Sequence, residues 1–352
     1  MLGFLFGKKS NAAPATARIN GQAITLQPKE TLLQAALREG IEFPHSCRVG
    51  GCATCKCKLV SGQVKELTET GYILSEAELD QGYILACQAV PKGDVSVEVD
   101  LSAQKARQQV SGRVLRQDKL THDITALTVR LDAPLLWKAG QYAQLSVASM
   151  PGVARSYSFA DPVQPEGTAR FFVREVPGGA FSTHVNRTAL EGQTVQLDGP
   201  LGEFWLRPDA QAPLLMIAGG SGLAPILAML KDALTQGVQR PVTLLFGART
   251  QRDLYALDEI EALARLSTAG LRFVPVLSEE PADSDWRGAR GLVTHALADA
   301  SQGLVVPGCH AYLCGPPPMI DAALPLLVQQ GVARGHIHAD RFTTLHDQPV
   351  AA

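Results

Sequence analysis

Four cysteines stand at a spacing suited to one-electron chemistry. Cys47, Cys52 and Cys55 fall in the run Cys47-Arg48-Val49-Gly50-Gly51-Cys52-Ala53-Thr54-Cys55, and Cys87 follows in Leu85-Ala86-Cys87-Gln88. C-x4-C-x2-C with a distant fourth cysteine is a ligand pattern for a [2Fe–2S] cluster, in which four thiolates hold two irons. Three ligands this close need a loop that wraps the metal with its amides turned inward. Gly50 and Gly51 permit the backbone angles of such a loop, and amide donors to the sulfurs tune the potential. A structural zinc site would favour two C-x2-C pairs, and a disulfide framework does not suit a long chain without an export signal. Cys57, two residues past Cys55, reads as a spectator on the strand that follows.

Two glycine loops could hold phosphate. Leu214-Leu215-Met216-Ile217-Ala218 is a continuous apolar run, as in a buried parallel strand. Gly219-Gly220-Ser221-Gly222-Leu223-Ala224-Pro225 follows at once, and Ile226 to Leu230 has helical character. Strand, glycine loop and helix together present backbone amides to a pyrophosphate, although this is not the G-x-G-x-x-G fingerprint. Pro225 is well tolerated near a helix start. The second loop, Gly178-Gly179-Ala180-Phe181-Ser182, places Ser182 where a helix would begin.

The elements that must carry these groups are legible in outline. A chain of 352 residues with 46% hydrophobic residues is long enough for two or three domains. Its net charge of −2 gives no reason to expect nucleic acid. The cysteine usage suits a reducing compartment, so a cytoplasmic location is expected. The apolar start, Met1 to Gly7, is too short for a membrane span, so no stable membrane insertion is expected. Arg18 to Leu26 reads as a hairpin, Glu30 to Glu39 as an amphipathic helix ended by Gly40, and Val95 to Val99 as a strand. Ser102 to Gln109 is polar and reads as a linker. Beyond it, Ile124 to Leu131 and Gln144 to Val147 alternate as strands of a barrel. Val242 to Arg249 reads as the next strand and its turn, and Leu271 to Leu277 as another strand.

With these motifs in place, the chain past Thr16 resembles the reductase components of bacterial multicomponent oxygenases, of the benzoate dioxygenase and phenol hydroxylase types. The cysteine region resembles a plant-type ferredoxin of β-grasp fold. Arg155-Ser156-Tyr157-Ser158 matches the R-x-Y-S motif of ferredoxin–NADP reductase-like flavoproteins, and Gly199-Pro200-Leu201-Gly202-Glu203-Phe204 matches their G-P-x-G-x-F turn. Cys314-Gly315-Pro316-Pro317-Pro318-Met319 matches their C-G-P-P-x-M run. The implied fold is multidomain α+β and α/β: a β-grasp ferredoxin domain, an antiparallel β-barrel flavin domain and a parallel-sheet, Rossmann-like nicotinamide domain. The expected boundaries are a flexible leader over 1–15, the ferredoxin domain over 16–102, a linker over 103–109, the FAD-binding barrel over 110–208 and the NAD-binding domain over 209–352.

The resemblance implies roles residue by residue. Cys47, Cys52, Cys55 and Cys87 hold the cluster. Arg155 and Arg174 neutralise flavin phosphates, with Gly178, Gly179 and Ser182 cradling the pyrophosphate. Tyr157 offers a flat face to the isoalloxazine, and Ser158 reaches flavin N5, where hydride arrives. Gly219, Gly220, Ser221, Gly222 and Pro225 form the nicotinamide loop, with Gly315 and Pro316 beside it. Cys314 sits at the hydride-transfer point; the plainer alternative is a buried thiol. Arg249 contacts the nucleotide. Asp253 bonds ribose hydroxyls and repels a phosphate, or it caps the next helix. Phe342 covers the flavin face or serves as a core aromatic.

The implied path runs from NADH to FAD to the [2Fe–2S] cluster, and on to a terminal oxygenase component or its ferredoxin. NADH is expected over NADPH because no basic cluster follows Arg249. FAD is expected, with FMN the alternative. A flavin suits the middle place because it takes two electrons as hydride and passes them on singly. No Rieske pattern or diiron E-x-x-H pair is present, so oxygenation belongs to another polypeptide. A monomer is expected. The same redox chain could serve a fatty-acyl desaturase or a deoxysugar dehydratase. The alternative of another class is a non-catalytic redox-sensing or scaffold protein.

Overall fold

In a computed structural model of the chain, the described residues are 15–45, 48–51, 53–74, 76–101, 107–207, 211–299 and 303–343. All but the last residue of the expected leader and most of the expected linker therefore lie outside them.

The first sheet begins with β1 (Thr16–Ile19) and β2 (Gln22–Thr25), followed by α1 (Leu32–Arg38). Apolar residues at helical spacing bury Leu32, Leu33, Ala35 and Ala36 on one face of α1, and a Thr31–Gln34 capping box fixes its start. Then come β3 (Lys56–Ser61), β4 (Val64–Glu66), α2 (Glu76–Asp80), β5 (Tyr83–Leu85), β6 (Ala89–Pro91) and β7 (Val95–Glu98). The main sheet has the order β2-β1-β7-β3-β5, and β4 pairs with β6 apart from it. The hydrophobic core of this unit draws only on residues of the first hundred.

The second unit is antiparallel: β8 (Gln108–Lys119), β9 (Ile124–Leu131), β10 (Tyr142–Val147), β11 (Ala154–Ser158), β12 (Thr168–Arg174) and β13 (Thr194–Leu201), with α3 (Ala180–Arg187) after β12. Its order is β11-β10-β13-β8-β9-β12, and a Phe159–Phe171 bridge ties its two edges into a nearly closed barrel. Alternation on β9 and β12 sends Leu127, Val129, Phe171 and Val173 inward.

The third unit alternates strand and helix: β14 (Leu214–Gly219), α4 (Leu223–Thr235), β15 (Val242–Ala248), α5 (Leu257–Leu266), β16 (Leu271–Leu277), β17 (Ala289–Arg290), α6 (Val293–Ala298), β18 (His310–Gly315), α7 (Pro317–Gln329) and β19 (Ile337–Arg341). The sheet is parallel, in the order β17-β16-β15-β14-β18-β19. β14, an unbroken apolar run, and β18, apolar after His310, are buried along their whole length. One hydrophobic core joins this sheet to the barrel, mixing Ile124, Ala126 and Phe172 with Leu223, Leu227, Phe246 and Tyr312. No described helix is long and apolar enough to cross a membrane.

Candidate redox site

Of the four cluster cysteines, Cys47 and Cys52 lie outside the described residues. Cys55 and Cys87 are buried and face each other: the Cys87 amide donates to Cys55 Sγ at 3.5 Å, and Gln88 Nε2 lies 3.6 Å from Cys87 Sγ. Buried sulfurs that receive N–H donors are the surroundings a thiolate-held cluster needs. Cys57 points into the core of its own sheet, and burial, helped by Cys87, pushes its thiol up to about 12.

At the flavin motif, β10 holds β11 in register, with Leu145 opposite Arg155 and Tyr142 opposite Ser158. Arg155 is exposed and donates to the Ala154 carbonyl at 2.7 Å; among the described residues no carboxylate pairs with it. A guanidinium left in this way fits an incoming phosphate. Tyr157 stacks on Phe181 of α3 with centroids 5.6 Å apart, and burial raises its phenol pKa. Ser158 is buried at the strand end. Gly178 has φ 73°, which glycine adopts without strain, and Gly179 precedes α3. Ser182 is the third residue of α3. Its hydroxyl accepts from the Val176 amide at 3.0 Å and donates to the Gly179 carbonyl at 3.2 Å. The serine thus ties the loop shut, and the helix N-terminus supplies the amides.

The two nucleotide loops pack backbone against backbone, which explains their glycines. A Cβ on Gly222 would lie 2.2 Å from the Cys314 carbonyl oxygen, and one on Gly315 would lie 3.1 Å from Gly219 Cα. Ser221 sits in the short turn between β14 and α4, Pro225 is the third residue of α4, and Pro316 precedes α7. Cys314 is fully buried at the end of β18, with Sγ 4.0 Å from Asp340 Oδ2. Burial, and then that carboxylate, hold its thiol well above the usual range. Phe342 is half-buried against the shared core, and its amide donates to the Gly315 carbonyl at 2.8 Å.

Asp253 does not cap α5; it closes the short turn Gln251–Asp253 in which it stands. Its carboxylate accepts from the Thr250 amide and hydroxyl, both at 2.9 Å, and from Arg249 at 3.0 Å. Arg249 also pairs with Asp123 at 2.8 Å, and Arg174 pairs with the same carboxylate at 3.2 Å. Arg174, expected at the flavin phosphates, stands against the nicotinamide loop, its guanidinium 3.1 Å from where a Cβ on Gly220 would stand. Sequence reasoning missed Asp123. The available signal was Thr121-His122-Asp123 between two alternating strands, a turn whose threonine hydroxyl accepts from the Asp123 and Ile124 amides.

The cluster loop meets the nucleotide unit at β19. A Cβ on Gly51 would lie 3.6 Å from the Arg341 carbonyl oxygen, one residue beyond Asp340. A single strand therefore has Cys314 beside one residue and the cluster loop beside the next.

Comparison with known proteins agrees with this division. Residues 17–92 match the 2Fe-2S iron-sulfur cluster binding domain, 111–205 the oxidoreductase FAD-binding domain and 216–324 the oxidoreductase NAD-binding domain. The chain is 44% identical over 332 residues to the xylene/toluene monooxygenase electron transfer component XylA of Pseudomonas putida, covering 93% of each chain. It is 36% identical to the reductase component of a Pseudomonas sp. phenol 2-monooxygenase, over 94% of this chain and 95% of the relative. Among solved structures, the Amycolatopsis cytochrome P450 reductase GcoB matches with TM-score 0.68 and 32% identity, over 94% of this chain and 99% of that one. The ferredoxin reductase of carbazole 1,9a-dioxygenase matches with TM-score 0.66 and 31% identity, over 94% and 98%. An NAD(P)H-dependent oxidoreductase with flavin and cluster domains in one polypeptide, the chain belongs to the family of iron–sulfur flavoprotein reductase components of multicomponent oxygenases.

Proposed function

We propose that this chain draws electrons from NADH and delivers them, one at a time, to a separate terminal oxygenase component that acts on an aromatic hydrocarbon, or to that component's ferredoxin. The relative that serves a xylene/toluene monooxygenase supports an aromatic client. The observation that carries the route is β19, which lies beside Cys314 at Asp340 and beside the cluster loop at Arg341. FAD, when bound, supplies the exchange between a two-electron hydride donor and a one-electron cluster.

The chain's own residues do the positioning. Arg155 and the amides at the start of α3 would hold the flavin phosphates, Tyr157 would offer a flat face to the ring, and the Ser158 hydroxyl would supply a hydrogen bond to it. Gly219 to Gly222 and Gly315 would let the nucleotide approach the backbone closely, and Cys314 would add a small side chain beside it. Cys47, Cys52, Cys55 and Cys87 hold the cluster. Arg249 and Arg174 share Asp123, and Arg249 also pairs with Asp253, so two guanidiniums are matched by two carboxylates and leave no surplus positive charge for a ribose phosphate. That supports NADH over NADPH. A monomer in the cytoplasm completes the reading.

Cys55→Ser tests the route. The variant should lose the cluster, keep its flavin and still reduce ferricyanide with NADH, while cytochrome c reduction falls away with the cluster. Loss of flavin together with the cluster would break the modular reading. Steady-state rates with NADH and NADPH test the nucleotide choice, and a preference for NADPH would reject it.

A further inference from the structure

The charged groups around Asp123 are arranged more tightly than a surface ion pair requires. Asp123 lies just before β9, on the barrel. Its Oδ2 accepts from Arg174 of β12 at 3.2 Å and from Arg249, just past β15, at 2.8 Å. Its Oδ1 accepts from the Thr121 hydroxyl at 2.9 Å, and its own amide donates back to that hydroxyl at 3.3 Å. The Asp123 carbonyl accepts from the Glu175 amide at 2.7 Å, which fastens the turn to the end of β12. The carboxylate is thus held from its own turn and cannot swing away without breaking several bonds. Arg249 is fixed on its other side by Asp253, itself locked by Thr250, and His122 stands 3.4 Å from it. His122, Asp123 and Asp253 come together like metal ligands, but the Arg249 guanidinium sits among them.

One carboxylate therefore sets the separation of two guanidiniums that come from different domains. One of them, Arg174, lies against Gly220 of the nicotinamide loop. Tyr255 braces the same loop from below, donating to the Gly220 carbonyl at 2.9 Å. Arginines left to themselves would repel each other and lose side-chain entropy on being ordered together. A fixed anion between them removes both obstacles before any ligand arrives.

We infer that Asp123 is a positioning residue of the nucleotide site: it holds Arg174 and Arg249 as a pair above the Gly219–Gly222 loop, in place to receive the pyrophosphate of the nicotinamide dinucleotide. This rests on the reading that the loop and these arginines bind the dinucleotide. The role has a definite sign. If Asp123 merely neutralised the arginines, removing its charge would strengthen binding of an anion. If it positions them, removing it weakens that binding although the site becomes more positive.

The test is calorimetric titration of the oxidised, FAD- and cluster-loaded protein with ADP-ribose, which carries the pyrophosphate but no redox group. Asp123→Asn keeps the size and the bonds to the turn, and Asp123→Ala removes the group. Both should keep parental flavin content and spectrum, and both should bind ADP-ribose about tenfold more weakly, the scale of a charge-assisted hydrogen bond. Adenosine 5′-monophosphate, which lacks the pyrophosphate bridge, should lose less. In an Arg249→Gln background, Asp123→Asn should add little, because the residue acts through that arginine. ADP-ribose bound as tightly or more tightly by Asp123→Asn, with Arg249→Gln weak, would overturn the positioning role alone. Unchanged binding by Arg249→Gln would overturn the reading beneath it.

Discussion

The two domain boundaries of this reductase are built differently. Between barrel and nicotinamide sheet there is no break in the hydrophobic core: Ile124 and Phe172 pack with Leu227, Phe246 and Tyr255. Four partly buried charges cross the same boundary. Arg170 pairs with Asp161 at 2.8 Å and with Glu259 at 2.7 Å, and Lys231 pairs with both carboxylates. The ferredoxin unit instead keeps a core of its own, and the boundary it shares with the rest mixes apolar residues such as Ile73 and Ile337 with charged ones. Glu69 meets Arg334 at 2.7 Å in an exposed pair, and a cavity of about 230 Å³ lies among Ala53, Lys56, Glu78, Glu203, Arg207 and His338. The difference matches the two transfers. Hydride moves only between atoms at near-contact distance, so the flavin and nicotinamide sites must share one rigid body. An electron needs only proximity, and a cluster that must also meet an external acceptor gains from a boundary that separates easily.

The largest expected effect attacks the tight boundary. Asp161→Ala leaves Arg170 and Lys231 with Glu259 alone, and should lower the stability of the flavin–nicotinamide unit by about 2–3 kcal/mol, the cost of uncovering a partly buried charge. Denaturation followed at the flavin absorbance would show it. The transition followed at the cluster absorbance should stay where it was; a shift of both together would mean that the boundaries are coupled.

Gly222→Ala attacks the contact of the two nucleotide loops. Its methyl would meet the Cys314 carbonyl at 2.2 Å, so the loops must part. A displacement of this kind near reacting atoms can cost on the order of 100-fold in rate. Stopped-flow absorbance should show slowed flavin reduction by NADH with the later flavin-to-cluster phase nearly unchanged. Slowing confined to the later phase would place Gly222 elsewhere in the path.

Acid should also distinguish the two units. His310 and His338 pack with Tyr312 and His336 at the edge of the third sheet. Burial lowers their pKa values to about 4 and about 3, from an unfolded value of 6.5. The unfolded chain therefore binds more protons below pH 6.5, and the stability of the flavin–nicotinamide unit should fall progressively from there toward about pH 3. His338→Phe should flatten that slope between pH 6.5 and 4; an unchanged slope would exclude His338 as a source.

The smallest effect is expected at the loose boundary. Glu69→Ala removes an exposed ion pair and should change either transition by less than about 1 kcal/mol. A larger loss would show that the ferredoxin unit is held more firmly than its separate core implies.

Features that depend on near neighbours were legible in the sequence. The strand Leu271–Leu277 and the barrel strand Ile124–Leu131 follow from local alternation and apolar runs, and the glycine turn after β14 from its Gly219–Gly222 spelling. Cluster ligands and phosphate loops are short motifs because metal and phosphate are small and must be surrounded by a few consecutive residues. What only the tertiary structure decided lies between residues far apart in the chain. The Ser182 hydroxyl turned back onto Val176, and Asp253 turned to Thr250. Asp123 meets Arg249 across 126 positions, and Gly51 comes to rest against Arg341. No periodicity carries such pairings, because they follow from strand order and from which faces share a core. The sequence alone thus determined which groups could do the chemistry; packing decided which of them stand together, and which of the two boundaries is rigid.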